Sequence, residues 1–173
     1  MPRLCLVFLL CLFAEHSWAG TQPLAPLNQD DMRLSLAPYI GYLEDPKGIL
    51  SLEQVLGVPD KEFQGSRSDH VNLGKNGSVW WFKVRLLNSR PHDLAGYLEI
   101  NYPLLDHIQL YLQTPDGKLV VQESGDRFAF SQRPVQVRNF WFPVDLPEGV
   151  STLVVRVEST STLFVPMFFS TYS

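Results

Sequence analysis

The chain has 173 residues, of which 45% are hydrophobic, 12% aromatic and only 18% charged, with 14 Lys+Arg against 18 Asp+Glu. That length and apolar share suit one ordinary domain with a real core, and the sparse charge, 13 Pro and 11 Gly exclude disorder, coiled coil and helical repeats. A formal net charge of -4 leaves no basic footprint, which excludes nucleic acid as a partner.

Met1-Pro2-Arg3 opens with a positive charge, Leu4 to Phe13 is unbroken apolar sequence, and Ser17-Trp18-Ala19 offers a small-x-small cleavage site. This is the pattern of a secretory signal peptide over residues 1–19. The apolar run is too short for a membrane helix, which needs roughly 20 residues. Both cysteines, Cys5 and Cys11, fall inside it, so the exported domain is expected to carry neither disulfide nor thiolate metal site. A cysteine-free exported domain points to the bacterial periplasm.

Residues 20–33 are polar and proline-rich and read as a flexible lead-in to a folded domain over 34–170. Leu34, Leu36, Tyr39 and Tyr42 alternate loosely, as in an edge strand. Ser51 and Gln54 have capping-box spacing with Gly57 behind them, predicting one short helix near residues 51–56. From Ser78 onward the pattern is strand throughout. Phe82, Val84 and Leu86 alternate with Trp81, Lys83 and Arg85. Leu98 with Ile100, and Ile108 with Leu110 and Leu112, continue the pattern, and Thr114-Pro115-Asp116-Gly117 is a hairpin turn. After an unpatterned stretch from Ser124 to Gln136, strands are expected over 137–144, 152–158 and 162–169. Short antiparallel strands separated by turns predict an all-β, two-sheet antiparallel β-sandwich. The unpatterned stretch suits a sheet-crossing connection and favours a jelly roll.

No enzyme is expected. His70, His92 and His107 lack the spaced partners that zinc needs, and neither the nucleophile elbow nor a phosphate-binding glycine pattern occurs. Binding chemistry is better represented. Trp81, Lys83 and Arg85 on one strand, and Tyr97, Glu99 and Asn101 on another, would form an aromatic platform beside planar polar groups if their outward faces coincide. Sugar-binding sandwiches use that combination; a solvated face with cross-strand ion pairs uses the same residues. Asp69, Asp106 and Asp126 on loops are calcium candidates, without the spacing of a dedicated loop, and Asp116 is explained by its turn. No other cofactor is implied.

Several stretches resemble one family: Tyr42-Leu43-Glu44-Asp45-Pro46, Leu50 to Val55, Trp81 to Asn88, Tyr97-Leu98-Glu99-Ile100 and Pro103 to Tyr111. Gly125-Asp126-Arg127, Arg133-Pro134, Arg138-Asn139-Phe140 and Leu153 to Val157 continue the series. In order and spacing they are similar to the type-two extracellular domain of the DISM receptors, seven-transmembrane receptors with diverse intracellular signalling modules. The resemblance implies a jelly-roll sensor similar to carbohydrate-binding modules, exposed in the periplasm and coupled to a histidine kinase or diguanylate cyclase. The chain is then expected to be the sensor part of a longer receptor, or a free-standing relative, with the membrane reached only through a further C-terminal region. The candidate ligand residues are Trp81, Lys83, Arg85, Glu99, Asn101 and Arg138. Asp126 and Arg133 are either ligand residues or structural ones, Asp126 forming with Arg133 or Arg138 a buried ion pair that braces the long loop. Competing with a glycan or small-molecule sensor are a homodimer or partner-receptor contact module without a small ligand, and a calcium-responsive sensor.

Overall fold

A computed structural model describes residues 22–29, 32–66, 68 and 70–172. The expected signal peptide and Asp69 lie outside the described residues. The strands are β1 (Leu24–Pro26), β2 (Arg33–Ser35), β3 (Gly41–Asp45), β4 (Gln64–Gly65), β5 (Val71–Asn72), β6 (Val79–Asn88) and β7 (Leu94–Ile100). They continue with β8 (His107–Gln113), β9 (Leu119–Ser124), β10 (Phe140–Leu146), β11 (Gly149–Glu158), β12 (Phe164–Val165) and β13 (Met167–Thr171). One helix, α1 (Leu52–Gly57), lies between β3 and β4, and both hydrogen bonds of the expected capping box between Ser51 and Gln54 are present.

A first sheet runs β4-β3-β6-β11-β8-β9, with β1 parallel to the end of β6, and a second runs β10-β7-β13-β2. Strands β6-β11-β8-β9 and β10-β7-β13-β2 follow the jelly-roll path, with β12 and β5 forming a small separate ribbon. The long loop after β9 carries the chain from the first sheet to the second, as its lack of pattern suggested.

Alternation explains the core. Phe82, Val84 and Leu86 of β6 point between the sheets, where Leu153 and Val155 of β11 lie opposite Val84 and Phe82. Leu98 and Ile100 of β7, Phe140 and Phe142 of β10 and Phe169 of β13 face them from the second sheet, all at most 1% exposed. Burying such side chains contributes about 1.5–3 kcal/mol each, which makes this layer the main source of stability.

The other side of β6 is not a solvated face. A second core, formed by Val55, Phe63, Val79, Trp81 and Val154, lies there, closed over by Leu50, Leu52, Leu56 and Val58 from the α1 segment. Trp81 is 1% exposed, stacks with Tyr111 at 6.1 Å and donates its indole N–H to Asp45 Oδ2 at 3.4 Å. Asp45 is fixed in turn by the backbone N–H groups of Leu50 at 2.9 Å and Ile49 at 3.2 Å. Lys83 is also buried, its Nζ 2.8 Å from Asp60 and 4.1 Å from the centre of the Phe63 ring. These ties fold the segment after β3 back across the sheet.

Three expectations are corrected. The lead-in is not flexible over its described part: β1 pairs with β6 from Leu24 to Pro26, Ala25 and Leu27 are fully buried, and β2 begins at Arg33. Gln22 is pinned to Asp60 and Lys83, and a methyl on Gly41 would collide with its amide and lie 2.8 Å from Phe63 Cβ. The expected edge strand over 34–42 is broken by a 3-10 turn at Ala37–Tyr39 and split between β2 and β3, because the chain there changes sheets. The last strand is divided at Pro166, between the β5 ribbon and the second sheet. Among the described residues no helix is long and apolar enough to cross a membrane.

Trp81→Ala is expected to lose about 3–5 kcal/mol of stability, as for a large buried aromatic, measured by urea unfolding. Acid should also unfold the domain. For Asp45 and Asp60, burial pushes the carboxyl pKa up, but hydrogen bonds (from Leu50 and Trp81 to Asp45, from Lys83 and Gln22 to Asp60) and the Lys83 and Arg85 charges pull it below the ordinary 3.8. The ionised forms therefore favour the fold. Their contribution is complete above the unfolded carboxyl range and is withdrawn as pH falls through it, so the melting temperature should drop between about pH 5 and 2. Asp60→Asn should reduce that slope.

Candidate functional site

With β6 roofed, the aromatic surface left open is the outer side of the second sheet. Alternation there is dictated by the inward rows. Because Phe140, Phe142 and Val144 face the core, Trp141, Pro143 and Asp145 face outward; because Leu98 and Ile100 face in, Tyr97 and Glu99 face out. Cross-strand register places Trp141, Glu99, Phe168 and Ser35 in one row and Pro143, Tyr97, Ser170 and Arg33 in the next.

These rows line a concavity of about 460 Å³ bounded by Met32, Arg33, Tyr97, Glu99, Trp141, Ser170, Thr171 and Tyr172. Tyr97 is its hub, with its ring centre 5.3 Å from that of Trp141 and 4.4 Å edge-on from that of Tyr172. Gly96 permits this close weave of β7 and β13: a Cβ there would overlap the Ser170 carbonyl and lie 2.7 Å from the Phe169 ring. Burial, the Tyr97 phenol and the Asp145 carboxylate hold the Tyr172 hydroxyl above its ordinary pKa, so it is neutral at physiological pH.

At the floor sits Glu99, only 3% exposed. A carboxylate desolvated to that degree needs charged or hydrogen-bonding partners. Arg33 Nε and Nη2 donate to Glu99 Oε2 at 3.1 and 3.0 Å, Ser170 Oγ donates to Oε1 at 2.5 Å, and Asn101 Nδ2 donates to Oε2 at 3.3 Å. The Arg33 guanidinium lies 3.8 Å from the centre of the Phe168 ring, which fixes its plane.

The expected platform is therefore divided. Trp81, Lys83 and Arg85 belong to the first sheet, and Glu99 with Tyr97 to the second, so the two outward faces do not coincide. Trp81 lies in the second core, and Arg85 is tied to the Gln22 carbonyl and lies 3.8 Å from Asp60. Glu99 is within the site, and Asn101 at its edge links Glu99 to Asn139. Arg138 is exposed in the loop before β10. Asp126 is exposed as well, so the expected buried ion pair is not what braces that loop. Arg133 does so through the carbonyls of Val137 and Arg138 and by lying over Phe130 and Phe140.

Asp106 accepts the Thr160 backbone N–H at 2.7 Å and lies 3.7 Å from Arg127, a loop-bracing arrangement. Among the described residues no three His, Cys, Asp or Glu side chains converge as a metal site would require. The site residues absent from the sequence-based set are Met32, Arg33, Trp141, Ser170, Thr171 and Tyr172. Only Trp141 carried a signal: on an alternating strand with Phe140 and Phe142 inward, it is an outward tryptophan.

A family model described as 7TMR-DISM extracellular 2 matches residues 37–171. No curated protein sequence matches the chain. Among solved structures, the chain is similar to a family GH115 4-O-methyl-α-glucuronidase specific for decorated arabinogalactans, at 12% identity and a TM-score of 0.31, covering 65% of this chain and 15% of that one. It is also similar to carbohydrate-binding modules of the β-sandwich superfamily with promiscuous specificity, at 11% identity and a TM-score of 0.28, covering 82% of this chain and 55% of that one. The chain thus spans less than two thirds of the length of either structure.

Arg33→Ala leaves the buried Glu99 carboxylate without its cation, held only by Ser170 and Asn101, and is expected to lower stability by about 2–3 kcal/mol, whereas Arg33→Lys, which keeps one charged donor, should lose less. Urea denaturation of the two variants side by side checks the order.

Proposed function

The chain belongs to the 7TMR-DISM extracellular 2 family, the extracellular sensor domains of seven-transmembrane receptors, and on that premise we propose that it is an exported, non-catalytic sensor that binds carbohydrate on the outer face of its second sheet. The observation that carries this reading is the ring of Tyr97, Trp141 and Tyr172 around the fixed Arg33–Glu99 pair. A pyranose presents apolar C–H faces and a rim of hydroxyls. Aromatic rings bury the faces, and rigid planar donors and acceptors read the rim. Here Tyr97 and Trp141 stand on strands and Tyr172 directly follows one, and the polar groups are already held by one another, so little order has to be gained on binding.

In the parent receptor the bound state would be read out by a histidine kinase or diguanylate cyclase. A ligand drives such an output only by binding one receptor state more tightly than the other. Three of the residues lining the concavity, Ser170, Thr171 and Tyr172, belong to β13 and the residue after it, so an occupant touches the closing strand of the domain.

Trp141→Ala and Tyr97→Ala should each weaken glycan binding by about 1–2 kcal/mol, roughly five- to thirty-fold in Kd, with the fold retained. Calorimetric titration against an oligosaccharide panel, with a thermal melt of each variant, measures both. Unchanged affinity in both variants would place the site elsewhere, and absence of any glycan binding would remove the carbohydrate reading.

A further inference from the structure

We infer that Glu99 acts as an anion filter, masking Arg33 so that the face admits neutral saccharides and rejects uronate, sulfated or phosphorylated ones; this rests on the carbohydrate reading of the same site. The outward rows of β2, β13, β7 and β10 carry only three charged residues: Arg33, Glu99 and Asp145. The one cation among them is committed. Two of its nitrogens are spent on a single oxygen of a carboxylate 3% exposed to water. The pair is neutral as a unit, and the remaining donors of Arg33 can still meet a hydroxyl.

Asp145 is exposed on β10, facing the same side as Trp141, one outward row beyond Pro143 and Tyr97. Among the described residues of this face, an incoming carboxylate or sulfate therefore finds no positive charge that is not already paired, and it meets the exposed negative charge of Asp145. It would be desolvated without compensation and repelled at the edge. A neutral sugar meets neither penalty. Without Glu99, the same exposed guanidinium on an aromatic surface would be suited to bidentate capture of an acidic sugar. Glu99 is thus a specificity-determining residue rather than one that contacts the ligand with its own charge.

The experiment is calorimetric titration of the full chain with neutral oligosaccharides (cello-, manno- and xylohexaose) and with hexagalacturonate, at about 0.05 and 0.5 M salt. The expected result is binding of at least one neutral oligosaccharide with little salt dependence, and hexagalacturonate weaker by roughly tenfold or more at low salt. Glu99→Gln keeps the shape and an acceptor for Arg33 while removing the mask. It should shift the ratio of hexagalacturonate to neutral-oligosaccharide affinity roughly tenfold toward hexagalacturonate at low salt. Asp145→Asn, at an exposed position, should raise that ratio severalfold and serves if Glu99→Gln melts early. Equal or tighter, salt-sensitive binding of hexagalacturonate by the unmodified chain overturns the filter and leaves the glycan site standing. So does failure of both variants to shift the ratio toward it. Absence of binding by every sugar overturns the glycan reading and the filter with it.

Discussion

Strand β6 is buried on both sides, and the remaining architecture follows from that constraint. Phe82, Val84 and Leu86 enter the space between the sheets, while Val79, Trp81 and Lys83 are sealed beneath the α1 segment. A strand enclosed in this way cannot present a ligand surface. Its sheet is given over, along β3, β6 and β11, to holding the domain together, and the aromatic face open to solvent is displaced to the opposite sheet. The roof is itself bound by polar ties, from Asp45 to Trp81 and from Asp60 to Lys83, each placing a carboxylate where hydrogen bonds outweigh the penalty of burial.

The second sheet repeats the arrangement with a different outcome. There too a charged pair lies on the outer side, but Arg33 and Glu99 are flanked by Phe168 and Tyr97 without a covering segment. In both pairs the cation rests on an aromatic ring, but Lys83 is buried beneath the segment that carries Val58 and Asp60, whereas Arg33 is half exposed at the concavity. This contrast separates Lys83 and Arg85 from Arg33 among the basic residues.

Much of the fold is readable from the chain because it is local. The alternation of β6, the turn at Thr114 to Gly117 and the capping box at Ser51 depend on neighbours within a few residues, and each appears as its pattern implies. The site is less readable because its parts meet only through long-range pairing. Trp81-Phe82-Lys83-Val84-Arg85 alternates exactly as a half-solvated strand would, and nothing within it announces that the α1 segment will fold back over the polar row. Arg33 lies in a proline-rich stretch that reads as tail, and β2 is a strand only because β13 supplies its partner. Glu99 was recognisable from its parity, whereas the three groups that neutralise it, at positions 33, 101 and 170, belong to different elements.

Strand β13 lies between β7 and β2, and the Met32 amide donates to Thr171 from a position 139 residues earlier in the chain. A strand inserted in the middle of a sheet by the last part of the chain sets an order of assembly. During synthesis the N-terminal strands emerge first, and loop closure of this length is slow compared with hairpin formation. Until β13 docks, β7 and β2 each expose an unpaired edge, the kind of surface on which chains aggregate. Docking closes both edges and, in the same step, brings Ser170 to Glu99 and Tyr172 to Tyr97. The concave face around Tyr97, Glu99 and Tyr172 therefore comes into being only when the domain is complete.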